Sequence, residues 1–451
     1  MTSLLPATWK RNNSTSISSA IQRWLPNFFL AAAASASSGY ALAQEVPAAA
    51  DTAAETVAEP SLAAQANLGG SLRASAWDIP KNPDGTRKPG IGEVWLKAAP
   101  HIGDATAVME GWARDTNFTH QGRKSGMLRE GYLSYSAGDA DFRLGKQIIV
   151  WGRADQLNPT DNLTPRDNTL YIADVDDQRF GAMAARATYN LSGMALTGIW
   201  LPYFRPSKQP LPALPGISYA ETVPGGGEYA FKLEQTGGAA DWSVSYFHGF
   251  DQNPDLSAGA VAPAGVTLSL QHHRIRVLGA DAATTVGRFG LRAEAAYTWT
   301  EDSAGIDPFV KNPFFYGVAG ADRTFFDYLN INLQYFVRQV SNYSDPNAIA
   351  DPVLRTVAVQ QAVVSSQLDR MQQGISLRIA NKWLNETLEG EIAGVANLTR
   401  HDFMLRPRFA YAFDDHWKGT LGAYVYRGGS NTFFGLLKDR SGGFAELRYS
   451  F

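Results

Sequence analysis

From Asn67 to the final Phe451 one pattern recurs: segments of roughly ten residues in which apolar and polar side chains alternate, with turn-forming clusters between them. In "FGLRAEAAYTWT", Phe289, Leu291, Ala293, Ala295, Tyr297 and Trp299 share one face, and Arg292, Glu294, Thr298 and Thr300 share the other. In "FFDYLNINLQYFVR", Leu329, Ile331, Leu333, Tyr335 and Val337 oppose Asn330, Asn332, Gln334 and Arg338. "FMLRPRFAYAF" sets Phe403, Leu405, Phe409, Tyr411 and Phe413 against Arg406 and Arg408. A period of two over such lengths predicts strands with one apolar face. Pro407 falls on the apolar face, where a missing backbone donor is awkward in a central strand, and a bulge is expected there.

Further strands are predicted near 68–78, 92–102, 105–115, 126–136, 140–151, 179–190, 194–203, 228–236, 240–249, 268–282, 373–383, 387–398, 418–427 and 442–451. Longer polar segments fall near 152–178, 204–227, 250–267, 301–322 and 339–370, and "DPNAIADPVLRTVAVQQAVVSS" suits a helix or one more strand. Short and long connections do not alternate cleanly in this reading. Three features favour a membrane barrel over a soluble sandwich. The apolar faces end in Tyr, Trp and Phe; the segments match the 9–11 residues a tilted strand needs to cross hydrocarbon; and no helical layer covers the sheet. Lipid offers the backbone no hydrogen bonds, so strands can span it only as a closed barrel. The expected fold is therefore all-β, a transmembrane antiparallel barrel of about 16 to 18 strands, wide enough for an aqueous lumen.

Composition agrees. Charged residues are 18% and aromatics 12% of the 451, and the net charge of −3 gives no basic surface for nucleic acid. Cysteine is absent, which removes disulfides and thiolate chemistry. The start reads as a cleaved signal peptide, 1–43: Lys10, Arg11 and Arg23 precede the short apolar core Trp24 to Ala36, and "ALA" at 41–43 offers a cleavage site, with "ASA" at 34–36 as a second. Residues 44–66, rich in Ala, Glu, Thr and Pro, read as a flexible periplasmic arm, and 67–451 as the barrel.

Three blocks carry a resemblance: "RLGKQIIVWGRADQLNPTDN" (Arg143 to Asn162), "IWLPYFRPSKQP" (Ile199 to Pro210) and "GGSNTFFGLLKDRSGGFAELRYSF" (Gly428 to Phe451). They resemble blocks of large Gram-negative outer-membrane porin-like barrels, with alginate-export-type channels as more distant relatives. The resemblance implies a channel or transport role without fixing a solute. It also implies outer-membrane location, contact with outer-membrane lipids and lipopolysaccharide, and delivery by the barrel-assembly machinery. "AELRYSF" is similar to the terminal signal that machinery recognises, which assigns that role to Leu447, Tyr449 and Phe451. Lys146 stands where many such relatives would place Arg, which keeps the charge and loses the planar donor fork.

The richest stretch for function is Trp151 to Phe180, a long connection full of Asn, Pro, Asp and Arg. It is expected to fold into the barrel and narrow the pore, with Arg153, Asp155, Asp161, Arg166 and Asp167 setting the size and charge of the constriction. The other reading is an external loop whose acids meet solvent, lipopolysaccharide or divalent cations. Asp174, Asp176 and Asp177 lack the spacing of a calcium loop and read as a solvated acidic turn. Arg129, Arg143, Arg186, Arg292, Arg338, Arg378, Arg406 and Arg408 alternate with apolar residues, so they are expected to face the lumen with Glu130, Glu294, Glu389 and Glu391. Two readings follow: a mild basic excess favouring anionic or polar solutes, or pairing across neighbouring strands that selects nothing.

An enzyme is not expected. There is no G-x-S-x-G, H-E-x-x-H or phosphate-binding glycine loop. His272 and His273 are adjacent and cannot chelate one ion from a regular strand, so neither metal nor cofactor is predicted. No nucleotide motif couples energy to transport. The functional expectation is an outer-membrane porin-like channel for passive diffusion of small polar or anionic solutes. The alternative is a non-conducting barrel that acts as a receptor or in export of lipids or hydrophobic compounds. Solute, strand number and oligomeric state stay open, a homotrimer being one option.

Overall fold

The computed structural model describes residues 66–79, 89–116, 123–209, 211, 216–262 and 265–451. The segment read as a signal peptide, 1–43, and nearly all of that read as an arm, 44–66, lie outside the described residues. In chain order the strands are β1 (Gly69–Asp78), β2 (Gly90–Ala98), β3 (His101–Ile102), β4 (Ala105–Thr116), β5 (Arg123–Ala137), β6 (Ala140–Gln147), β7 (Ala182–Leu191) and β8 (Met194–Leu201). There follow β9 (Ile217–Thr222), β10 (Glu228–Gln235), β11 (Asp241–Phe250), β12 (Asp255–Ala262), β13 (Gly265–Gln271), β14 (Arg274–Val286) and β15 (Phe289–Trp299). The last are β16 (Phe314–Phe325), β17 (Leu329–Val340), β18 (Met371–Trp383), β19 (Leu388–Asn397), β20 (Asp402–Ala412), β21 (Trp417–Arg427) and β22 (Gly442–Ser450).

Setting aside β9, β12 and β13, which form a separate sheet, and β3, a two-residue extension paired only with β4, 18 antiparallel strands remain. They close into a barrel through β1 and β22, from Ser71 opposite Ser450 to Asp78 opposite Gly443. The terminal residue completes this seam: Gly70 N–H donates to the Phe451 carbonyl at 2.9 Å, and Phe451 N–H donates back at 3.1 Å. A chain ending in an aromatic thus ends inside a hydrogen-bonded ladder.

The alternation read from the sequence sorts residues onto the two faces. Leu333 is 50% exposed on the outside of β17, while its neighbours Asn332 and Gln334 are buried inside. Leu144, Trp200 and Leu421 are likewise exposed outward, part of an apolar band far larger than the patches soluble proteins leave in water. Exposed rings recur at the end with the short turns, among them Tyr135, Tyr189, Tyr328, Trp383, Phe413 and Trp417, as expected of an interfacial girdle. No helix among the described residues is long and apolar enough to cross a membrane.

The strand count falls at the top of the expected range, and one strand was hidden. Most of β16 lies within 301–322, read above as a polar segment; after Phe315 its outer face is Gly317, Ala319 and Ala321, too small to signal alternation. With β16 in place, the 17 connections fall alternately at the two ends of the barrel: eight turns lie at the end where β1 begins and β22 finishes, and nine connections lie at the other, most of them long, though 398–401 between β19 and β20 is as short as a turn. The segment 268–282 is two strands, since β13 ends at Gln271 and β14 begins at Arg274. The apolar/polar period runs through the break and masks it. Pro407 causes no bulge. Its strand keeps register with β19, and pairing with β21 skips Arg406 and Pro407 before resuming at Arg408 with no shift, so the missing donor leaves only a gap in the ladder. A bulge lies instead between β4 and β5, where Glu110 faces Glu130, Gly111 faces Leu128, and Arg129 is the extra residue.

The loops carry structure of their own. In 341–370 the helix α1 (Pro352–Val364) forms rather than a strand: Asp351 caps Val353 and Leu354 N–H groups at 2.8 and 2.9 Å, and Pro352 occupies the first turn. A short second helix, α2 (Phe433–Leu436), is capped by Thr432. β9, β12 and β13 form a small sheet above the barrel, parallel between β9 and β13. Leu256, Leu268 and Leu270 of that sheet pack on Val357 and Val363 of α1 and on Leu368, making a small apolar core in a cap over the loop end.

Candidate functional site: a loop laid across the lumen

The connection from β6 to β7, residues 148–181, touches inward-facing side chains on both flanks and the far wall. Its first arm docks on β14 and β15. Glu294, 2% exposed on the inner face of β15, accepts from Arg153 N–H at 3.0 Å, Ala154 N–H at 3.1 Å, and both Thr160 N–H and its hydroxyl at 2.8 Å. A carboxylate can accept four such bonds, and four is its capacity here. Gly152, at φ 97°, lets the chain pass this carboxylate: a Cβ there would stand 2.5 Å from Glu294 Oε2. Arg153 reaches Asp281 Oδ1 of β14 at 2.6 Å, with Asp241 and Glu234 at 3.6 and 3.9 Å. Farther across, the Gln334 amide oxygen of β17 accepts from Asp155 N–H at 2.8 Å. Ala154 and Leu157 pack against Val318, Val395 and Met404 of β16, β19 and β20, together with Phe434 of α2.

The second arm docks on the opposite flank. Asp177 Oδ2 lies 2.5 Å from Arg73 Nη1 of β1. The bulge residue Arg129 of β5 donates to the Arg179 and Asp176 carbonyls at 2.9 Å each and pairs with Glu110 at 2.5 Å. Arg114 of β4, held by Glu93, donates to the Tyr171 carbonyl. Tyr171 also packs on Trp77, beside Phe444. The acidic turn is solvated only in part: Asp174 is exposed, whereas Asp176 and Asp177 are half-buried. Asp177 is taken up by Arg73, and burial pushes its carboxyl pKa upward against that pairing. Among the described residues, no three His, Cys, Asp or Glu side chains are grouped to hold a metal ion.

The five residues singled out in this loop have different surroundings. Arg153 and Asp155 reach the far side, as described. Asp161 sits between Arg179 at 2.6 Å and Arg166 at 4.0 Å. Arg166 is joined to the next loop, its N–H donating to Ser207 Oγ and its carbonyl accepting from Lys208 N–H. Asp167 takes the Lys208 ammonium at 2.7 Å and the Thr169 hydroxyl. Burial pushes the Asp155 carboxyl up to about 6, against the pull of nearby Arg292.

Most wall arginines are paired. Arg292 meets Asp322 at 3.2 Å, while Arg378, Arg406 and Arg408 share Glu391 at 3.0, 3.1 and 4.0 Å. Arg338 donates to the Ser365 carbonyl at 2.7 Å and lies over the Phe314 and Tyr316 rings. Arg143 and Arg186 are direct cross-strand neighbours on β6 and β7, next to Tyr132. Among the described residues neither has a carboxylate within 4.0 Å. Lys146 donates to the Leu128 carbonyl. The two histidines lie in the break between β13 and β14 rather than on a regular strand, and their partners differ: His272 contacts the Asp251 carbonyl and Glu221, and His273 contacts Asp255. The docking partners Arg73, Glu93, Glu110 and Asp281 escaped the sequence reading. Their inward parity was the available signal, but parity does not say which wall residues a loop will meet.

Neither a protein-family model nor the sequence of a curated protein matches the chain. Solved structures do. OccAB3 of Acinetobacter baumannii is 9% identical, with 85% of this chain and 98% of that chain covered at a TM-score of 0.50. The fold is that of an outer-membrane porin-like barrel. OccK5 (OpdH) of Pseudomonas aeruginosa is 9% identical over 85% of this chain and 96% of that one, at a TM-score of 0.48. The outer membrane channel DcaP of Acinetobacter baumannii is 12% identical over 85% and 96%, at 0.42. At such identities the likeness concerns the fold. An 18-strand barrel with this apolar outer band belongs to the outer membrane of Gram-negative bacteria.

Proposed function

We propose that the protein is a porin-like channel that passes small polar solutes, anionic ones included, by diffusion through a lumen narrowed by residues 148–181. The observation that carries this reading is the double docking of that loop, on Glu294 and Asp281 at one side and on Arg73 and Arg129 at the other. A loop held at both flanks by buried charged hydrogen bonds leaves a fixed neck rather than a flapping lid. Arg153 and Asp155 then lie in the neck, and the Arg143–Arg186 pair, with no ion-pair partner among the described residues, gives the lumen a local basic zone beside it. The nearest competing reading is a barrel that conducts nothing. Purified protein in planar bilayers under a salt gradient separates the two: discrete current steps with a reversal potential of the sign for anion preference support the channel, and folded protein without steps refutes it. Outer-membrane lipids, lipopolysaccharide and the barrel-assembly machinery are the partners this reading implies, with assembly through Leu447, Tyr449 and Phe451.

A further inference from the structure

Above the inner loop and below the cap lies a cavity of about 280 Å³, just under the range typical of drug-sized ligand sites and so suited to a single ring. The inner loop forms its floor, the inner faces of β16, β17 and β19 its wall, and α2 with the end of α1 its roof. Three properties narrow what it could hold.

The wall is aromatic. Tyr316 and Phe336 meet edge to face, centroids 6.5 Å apart at 90°, and form a corner closed by Phe433. The polar lining mixes donors and acceptors at neutral groups. Asn397 accepts from Thr399 N–H with its carbonyl, which leaves its NH₂ group as donor. Asn162 donates to the Pro159 carbonyl, which leaves its oxygen as acceptor. Gln372 and Asn253 add two more amides. Finally, the cations are offset by nearby acids. The cations of the lining are Arg166, Arg179, Lys311 and Arg338, and its carboxylates are Asp161 and Asp251. Asp161 lies 2.6 Å from Arg179 and 4.0 Å from Arg166, with Asp176, outside the lining, 3.6 Å from Arg179. Lys311 lies 3.0 Å from Asp251 and 3.1 Å from Asp255, the latter also outside the lining, and Arg338 is held by the Ser365 carbonyl.

A hydroxyl both donates and accepts, so it matches such a lining wherever it falls; a carboxylate only accepts and needs a net positive field. A ring with an apolar C–H face suits an aromatic corner. We propose that this chamber binds a neutral polyhydroxylated ring, a monosaccharide, on its way through the channel. The inference rests on the channel reading above for its route and names the solute class of that route.

The test uses full-length protein in planar bilayers with D-glucose as probe, and sodium gluconate and sodium benzoate as anionic controls. Glucose is expected to reduce the open current in a saturable way. Phe336→Ala and Asn397→Leu should each raise the half-blocking concentration about tenfold, the equivalent of one lost hydrogen bond or ring contact. Migration of these variants as compact, heat-modifiable bands certifies their folding. Block by gluconate or benzoate without block by glucose would overturn the proposal, as would glucose block untouched by both variants. If the protein gives no current, the channel reading fails by itself, and titration calorimetry of glucose into detergent-solubilised protein decides the site. Heat lost in Phe336→Ala supports the site; no heat with wild type overturns it.

Discussion

The hold of Glu294 on the inner loop can be put to a quantitative test. Replacing Glu294 by Ala removes the acceptor of three backbone N–H groups, those of Arg153, Ala154 and Thr160, and of the Thr160 hydroxyl. Each buried donor left without a partner costs roughly 1–3 kcal/mol, so the three N–H groups alone lose roughly 3–9 kcal/mol in the docked state. Water in the lumen can reach some of them once the carboxylate is gone, which favours the low end, about 3 kcal/mol. That figure corresponds to a factor on the order of 100 in the docked-to-undocked ratio of the arm. The ladder from β15 to its neighbours does not use this side chain, so the barrel should still fold and migrate as a compact, heat-modifiable band. Single-channel recording should show a larger mean conductance with added flicker, as 153–160 leaves the wall. Conductance and noise equal to wild type in a correctly folded Glu294→Ala barrel would refute the claim that this carboxylate holds the neck.

Three further outcomes follow from the same structure. Asp155 has its folded pKa raised to about 6 from an ordinary 3.8, so its ionised form is the costly one; the penalty is full above pH 6 and relieved as pH falls towards 3.8. Lowering pH from 7.5 to 5 should remove its charge from the neck and move the reversal potential towards anions, and Asp155→Asn should abolish that shift; an Asn variant with the wild-type pH response would count against it. Leu333→Lys puts a charge on the lipid face and should destabilise the barrel by roughly 2–4 kcal/mol in denaturant titrations in bilayers, whereas a negligible change would place Leu333 elsewhere than in lipid. Deleting Phe451 removes both hydrogen bonds it exchanges with Gly70 at the closing seam. The assembled fraction in outer membranes should fall, and full assembly would dismiss the terminal residue as a seam element.

What the sequence disclosed, and what it concealed, follows from the physics of each element. Faces were legible because lipid and lumen impose opposite chemistry at every second residue, as Asn332, Leu333 and Gln334 illustrate. β16 was not, since Gly317, Ala319 and Ala321 satisfy the lipid side by smallness rather than by bulk. The join at His272–His273 was invisible because the period of two persists across it while the chain leaves one sheet for another. The cap sheet escaped notice because Leu256, Leu268 and Leu270 find their burial against α1, a partner some 90 residues away in sequence. For the site, residue types and loop length singled out 151–180, and Glu294 was placed inside the lumen. The pairings that dock the loop, Arg73 with Asp177 and Arg153 with Asp281, depend on which strands stand across the lumen, a property of closure rather than of any local stretch.

The measurement that bears most directly on the account is single-channel conductance of wild-type protein beside a variant lacking residues 156–168. The loop laid across a water-filled barrel predicts discrete openings in wild type and clearly larger ones in the deletion. Identical openings in both would contradict a neck built from this loop, and folded wild-type protein that never opens would contradict the channel.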